Sequence, residues 1–244
     1  MQYVGSKGRL SKELAPIIQS YISENTRGYL EPFVGGANMI DKINHEKRIG
    51  CDIHEELIEL LKFAQSNIDK FPKTISEEEY HLVRQNKDNY PKWYVGLVGF
   101  CGSFGAKYFG GFARRSNRDD VPAQAIRSLV KQSINIKNVN FINKSFLDLP
   151  LDKIKGYVIY CDPPYKGTLE YKNSNFPYDE FYKWCIEASK NNIVLISEYS
   201  MPEQFKCIWS KELKTTMGSG VNEYKDDSNV RVEKLFIVNS STDI

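Results

Sequence analysis

A chain of 244 residues fits one compact α/β unit, or one such unit with a modest insertion, and not two independent full-sized domains. Hydrophobic residues make up 41% and charged residues 26%, which excludes a disordered chain; five scattered cysteines and three histidines make neither a disulfide framework nor a zinc pattern. The net charge of +2 hides an asymmetry, because residues 84–144 hold eleven basic residues against three acids while the remainder is net acidic, a distribution that suits contact with an anionic polymer.

In chain order, Leu10, Leu14, Ile17, Ile18 and Tyr21 recur at helical spacing, with Gly28 where that helix should stop. Tyr29-Leu30 reads as a short buried strand running into Glu31-Pro32-Phe33-Val34-Gly35-Gly36-Ala37-Asn38, where glycines permit a tight turn and close approach of a ligand to the backbone. A helix to about His45 is expected next, then a strand Arg48–Ile53 containing Asp52, then a helix Leu57–Ala64. Strand, glycine turn, helix and strand with a terminal acid are the start of a parallel α/β sheet whose ligand crevice lies at the carboxyl ends of the strands. Asp52 follows the glycines by about twenty residues, where a ribose-binding carboxylate belongs. Neither G-x-G-x-x-G nor G-x-x-x-x-G-K-[ST] occurs, so the usual dinucleotide and triphosphate fingerprints are missing.

Residues 69–138 change character, with mixed helix followed by six glycines from Gly96 to Gly111 among aromatics, read as turns and a hairpin. They form an expected insertion between sheet strands, leaving 1–68 and 139–244 as the sheet domain. The sheet pattern resumes at Val139–Asn143, Gly156–Tyr160, Ile193–Ser197 and Lys234–Val238. Apolar runs are too short to cross a bilayer and the first residues lack a signal-peptide pattern, so a soluble, cytoplasmic protein is expected.

The strand Tyr157–Tyr160 leads into Cys161-Asp162-Pro163-Pro164-Tyr165. Two prolines fix φ and remove two donors, leaving a stiff corner of carbonyl acceptors. An adjacent carboxylate adds an acceptor, and an aromatic ring adds a stacking surface. That set suits an exocyclic amino group on a flat base: Asp162 and the Pro163 carbonyl accept its two N–H bonds while Tyr165 stacks on the ring. Held in this way, the amine lone pair turns toward an electrophile without a covalent intermediate. The plainer alternative is a double-proline strand stop with Tyr165 in the core.

Asp162-Pro163-Pro164-Tyr165 matches the D-P-P-Y motif of amino-methyltransferases, and the chain resembles the Dam-like DNA adenine-N6 methyltransferases. Three more segments fall in that family's order. Tyr3-Val4-Gly5-Ser6-Lys7 resembles its aromatic-x-G-[GS]-K segment, Glu31-Pro32-Phe33-Val34-Gly35-Gly36 its E-P-F-x-G-x-G loop, and Asp52 its acid after the second strand. Two departures are Tyr3, where the family often has Trp, and Ala37-Asn38 in place of the loop's second glycine.

The resemblance implies a Rossmann-like S-adenosylmethionine-dependent methyltransferase sheet, mostly parallel with one antiparallel strand, and a helical and hairpin insertion that recognises DNA. It implies that Tyr3, Lys7, Asp52 and Asp162 line the S-adenosylmethionine site, with Glu31, Pro32, Phe33 and Gly35 beneath the methionine moiety. Asp162, Pro163, Pro164 and Tyr165 would be the catalytic set, acting without a metal on an adenine flipped from duplex DNA, at GATC or a related site. Lys107, Arg114, Arg115 and Arg118 are the DNA-contact candidates. A bacterial cell is the implied setting, with the enzyme encoded by host or phage and a restriction–modification role among its uses. Methylation of RNA adenine or of cytosine N4, and an inactive DNA-binding module, are the rival readings. Lys7 as a solvated charge and Asp52 as a helix N-cap are the plainer local ones; Asn143–Asp148 resembles a family segment near the donor's adenine, and its Phe146 reads equally as ordinary core.

Overall fold

The computed structural model describes residues 1–114, 120–165, 176–214 and 230–238. The chain divides into two compact units, Met1–Leu149 and Pro150–Ile244.

In the first unit, α1 (Ser11–Ser20) turns Leu14, Ala15 and Ile18 inward, and the fully buried β1 (Gly28–Glu31) follows. β1 pairs in parallel with β2 (Arg48–Asp52), and β2 in parallel with β3 (Val139–Asn143). Parallel pairing brings the carboxyl ends of these strands to one edge, so the glycine turn after β1 and Asp52 at the end of β2 leave the sheet side by side.

The helix expected up to His45 does not form, and Ile40–Lys42 is a single 3-10 turn. Ala37 takes a left-handed conformation, φ 57°, and the Gly36 and Ala37 carbonyls that a helix would use accept instead from Gln132 Nε2, at 3.1 and 2.9 Å. A side chain some ninety-five residues away has displaced the local helical pairing.

Between β2 and β3 lie α2 (Glu55–Ala64), α3 (Glu77–Gln85), α4 (Lys92–Cys101) and α5 (Val121–Ile136). Two of the glycines read as turn formers, Gly96 and Gly99, are helical. A Cβ on Gly96 would stand 2.2 Å from the Glu56 carbonyl oxygen, so α4 and α2 meet backbone to backbone. The turn itself is confined to Gly102–Gly111, closed by one antiparallel bridge between Ser103 and Phe112.

In the second unit, β4 (Tyr157–Cys161) and β5 (Ile193–Glu198) pair in parallel, and their near-continuous apolar runs are buried on both faces. β7 (Val230–Val238) runs antiparallel to both β5 and β6 (Phe205–Lys214), giving the order β4-β5-β7-β6, and α6 (Tyr178–Ser189) precedes β5. The architecture is therefore the α/β class expected, mostly parallel, with β7 the one antiparallel strand among the described residues. Strand β6 escapes the sequence pattern because lysines and Glu212 interrupt its alternation and a bulge shifts its register between Cys207 and Trp209.

Candidate functional site

The glycine turn and Asp52 are built together in the first unit. Gly35 adopts φ +47°, and its N–H donates to Asp52 Oδ2 at 3.1 Å while the His54 N–H donates to Asp52 Oδ1 at 2.9 Å. The carboxylate is thus fixed at the end of β2 by two main-chain donors. Asp52 is not a helix N-cap, since His54 occupies that position of α2. Burial raises the Asp52 carboxyl above the usual range, and the amide hydrogen bonds from His54 and Gly35 only partly oppose it.

Tyr3 lies on the turn. A Cβ on Gly35 would come within 2.9 Å of the Tyr3 ring, and one on Gly36 within 2.7 Å of Tyr3 Cβ. Both glycines are therefore required by contact with Tyr3, and its ring also meets Phe100 at 5.6 Å. Lys7 opens a 3-10 turn, Lys7–Arg9, and is only 8% exposed, so it is not a solvated surface charge. Glu31 is buried and accepts the Tyr29 hydroxyl at 2.7 Å, and Pro32 is buried beside it. Phe33 packs against Phe146 with ring centroids 5.4 Å apart.

Two contributors went unread in the sequence. Ile53, directly after Asp52, stands 76% exposed, an apolar surface at the carboxyl edge of the sheet. Its only sequence signal is its place after the strand-end acid. Gln132 of α5 also donates to Asp41 Oδ2 at 3.1 Å, tying the glycine turn to the helix before β3; a buried Gln in an amphipathic pattern carries no signal of its partner.

In the second unit, Asp162, Pro163, Pro164 and Tyr165 leave the carboxyl end of β4. Asp162 is half-buried, Pro163 buried, and Tyr165 only 7% exposed. The Tyr178 hydroxyl donates to the Pro164 carbonyl at 2.9 Å, which occupies one of the corner's acceptors. The Tyr165 hydroxyl donates to Glu233. Burial, then Asp162 and Glu233 nearby, push the Tyr165 phenol well above its ordinary value, so it stays a donor.

Of the DNA-contact candidates, Arg114 is exposed and paired with Glu77 at 2.8 Å, and Lys107 is exposed with its stem against Gly110. Arg115 and Arg118 lie outside the described residues. Among the described residues no cluster of three or more His, Cys, Asp or Glu side chains is placed to hold a metal, and no helix is long and apolar enough to cross a membrane.

The family model for D12 class N6 adenine-specific DNA methyltransferases matches residues 3–217. The type II methyltransferase M1.LlaDCHI of Lactococcus lactis subsp. cremoris is 21% identical, over 93% of this chain and 92% of that protein. The type II methyltransferase M.FokI of Planomicrobium okeanokoites is 23% identical, over 69% of this chain but 29% of that much longer protein. Among solved structures, the candidate methyltransferase SMU.472, complexed with SAH, aligns over 95% of this chain and 52% of its own, at 14% identity and a TM-score of 0.40.

Proposed function

The chain belongs to the D12 class of N6 adenine-specific DNA methyltransferases, and from that premise we propose how its residues divide the work of methylating adenine in DNA. S-adenosylmethionine is the donor, supplying when bound an electrophilic methyl group. The first unit suits such a ligand. Asp52 offers a carboxylate already held by two amides, for the ribose hydroxyls, and exposed Ile53 beside it offers an apolar face for a base. Tyr3, Lys7, Glu31, Pro32, Phe33 and Gly35 complete the donor set.

The Asp162–Tyr165 loop takes the adenine, turned out of the duplex because its N6 is out of reach inside the stack. With the Pro164 carbonyl engaged by Tyr178, Asp162 and the Pro163 carbonyl are the acceptors for the two N6 hydrogens. Their pull concentrates electron density on N6 and directs its lone pair at the methyl group, and Tyr165 supplies the stacking surface. By the family resemblance Asp162 is also assigned to the donor set. Residues 69–138 act as the target-recognition part, with Lys107, Arg114, Arg115 and Arg118 on phosphates. GATC or a related site is the target, in a bacterial cytoplasm and, by analogy with the type II relatives, beside a restriction endonuclease.

The observation that carries this reading is the D-P-P-Y corner at the carboxyl end of β4 in a chain of this family. Its test is Asp162→Ala, assayed with tritiated donor on DNA with and without GATC and on RNA. Transfer to DNA is abolished while DNA binding persists. Turnover within tenfold of the parent removes Asp162 from catalysis, and equal labelling of RNA or of GATC-free DNA overturns the substrate reading.

A further inference from the structure

Three side chains distant in sequence converge on the Asp162–Tyr165 loop within the second unit. Tyr178, the first residue of α6, donates its hydroxyl to the Pro164 carbonyl at 2.9 Å. Tyr199, just past β5, sets its ring edge-on to Tyr165, centroids 4.6 Å apart and planes at 87°. Glu233 of β7 accepts the Tyr165 hydroxyl from 68 residues away. Proline fixes φ at 163 and 164, but nothing in the motif fixes the side-chain torsions of Tyr165. Those are settled by where the hydroxyl is anchored.

Glu233 is costly where it stands. It is 3% exposed in a strand whose neighbours Leu235 and Phe236 are core, and a buried carboxylate needs partners to be tolerated. An apolar residue would serve the strand better. The phenol it accepts belongs to the residue whose ring serves the base, and with only 7% of Tyr165 exposed, a small rotation changes which part of the ring is offered.

We propose that Glu233 is a positioning residue for methyl transfer: its carboxylate, with Tyr178 and Tyr199, holds the D-P-P-Y loop and the Tyr165 ring in the orientation that receives the adenine. The proposal rests on the reading of that loop as the adenine site. Glu233 touches no reacting atom, so its removal acts through Tyr165, lowering the rate of transfer and leaving donor and DNA affinity in place.

The experiment compares Tyr165→Phe, Glu233→Leu, Glu233→Gln and the double variant Tyr165→Phe/Glu233→Leu in single-turnover assays at saturating DNA and donor, with donor affinity and melting temperature measured alongside. Tyr165→Phe deletes only the hydroxyl, so it tests the contact even if Glu233→Leu fails to fold. The expected result is a tenfold or greater loss of the single-turnover rate for Tyr165→Phe and Glu233→Leu, with donor Kd within threefold. Glu233→Gln, which keeps an acceptor oxygen, restores most of the rate, and the double variant is no worse than either single one. Tyr165→Phe at the parental rate, additive losses in the double variant, or a Glu233→Gln loss equal to that of Glu233→Leu each overturn the proposal. Asp162→Ala run in parallel separates the two levels. If it is inactive while Tyr165→Phe is unimpaired, the clamp fails and the adenine site stands; if Asp162→Ala remains active, the adenine site itself fails.

Discussion

Two loops leave the carboxyl ends of parallel strands in this chain, and they are held by opposite means. The turn after β1 is glycine-rich, so its backbone is free, and its order comes from what packs on it: Tyr3 against Gly35 and Gly36, Asp52 on the Gly35 amide, Gln132 on the Gly36 and Ala37 carbonyls. The corner after β4 is proline-rich, so its backbone is stiff and short of donors; Tyr178 donates to its Pro164 carbonyl, and the Tyr165 side chain meets Tyr199 and Glu233. A loop that must approach a ligand with its main chain needs glycine and outside support. One that must present acceptors needs proline and outside aim.

The sharpest way to break this contrast is to give the glycine loop a side chain. Gly35→Ala imposes a left-handed alanine, about 1–2 kcal/mol, and drives a methyl into the Tyr3 ring, about 1–3 kcal/mol of overpacking. The combined cost falls on donor affinity and melting temperature, measured by calorimetry and thermal unfolding; an unchanged donor Kd removes the turn from the donor site.

Next in size, Asp52→Ala is expected to weaken donor binding at neutral pH by about 1.5–3 kcal/mol, the worth of the charge-assisted ribose contact proposed for it. Its pH dependence sharpens the point. The Asp52 carboxyl is raised above its unfolded value, so on acidification it takes up a proton before an ordinary aspartate does. Donor affinity therefore declines on the acid side, starting above the ordinary aspartate range. Stability from this residue runs the other way: it is fully present below the unfolded pKa and is lost as pH rises through the raised folded pKa. Asp52→Asn removes that acid limb of donor binding, and its persistence in the variant assigns the titration elsewhere.

A further effect belongs to neither loop. Changing Arg114, Arg115 and Arg118 together to Gln flattens the slope of log K against log salt by roughly 2 to 3 and weakens cognate and non-cognate DNA alike. Arg114 has Glu77 as an exposed partner, a kind of pair that holds weakly, so it is available to a phosphate. An unchanged slope shows that the three only solvate the surface, and loss confined to the cognate site shows that they read bases.

What the sequence determined by itself is what short-range chemistry encodes. Strands β4 and β5 announce themselves as apolar runs, β1, β2 and β3 are shorter apolar stretches broken by polar residues, and the glycine turn, Asp52 and the D-P-P-Y corner each stand at the end of a strand, so pattern and motif reach them together. Tertiary structure decided the rest. Gly96 looks like a turn residue until α2 is placed against it, because only the neighbouring helix supplies the reason for a missing side chain. A helix up to His45 is expected after the glycine turn, yet Ala37 is left-handed and Gln132 takes the Gly36 and Ala37 carbonyls. Glu233, Tyr178 and Gln132 carry no local sign of their roles, since a hydrogen bond spanning 14 to 96 residues is fixed by where the strands and helices come to lie and leaves no periodicity in the chain.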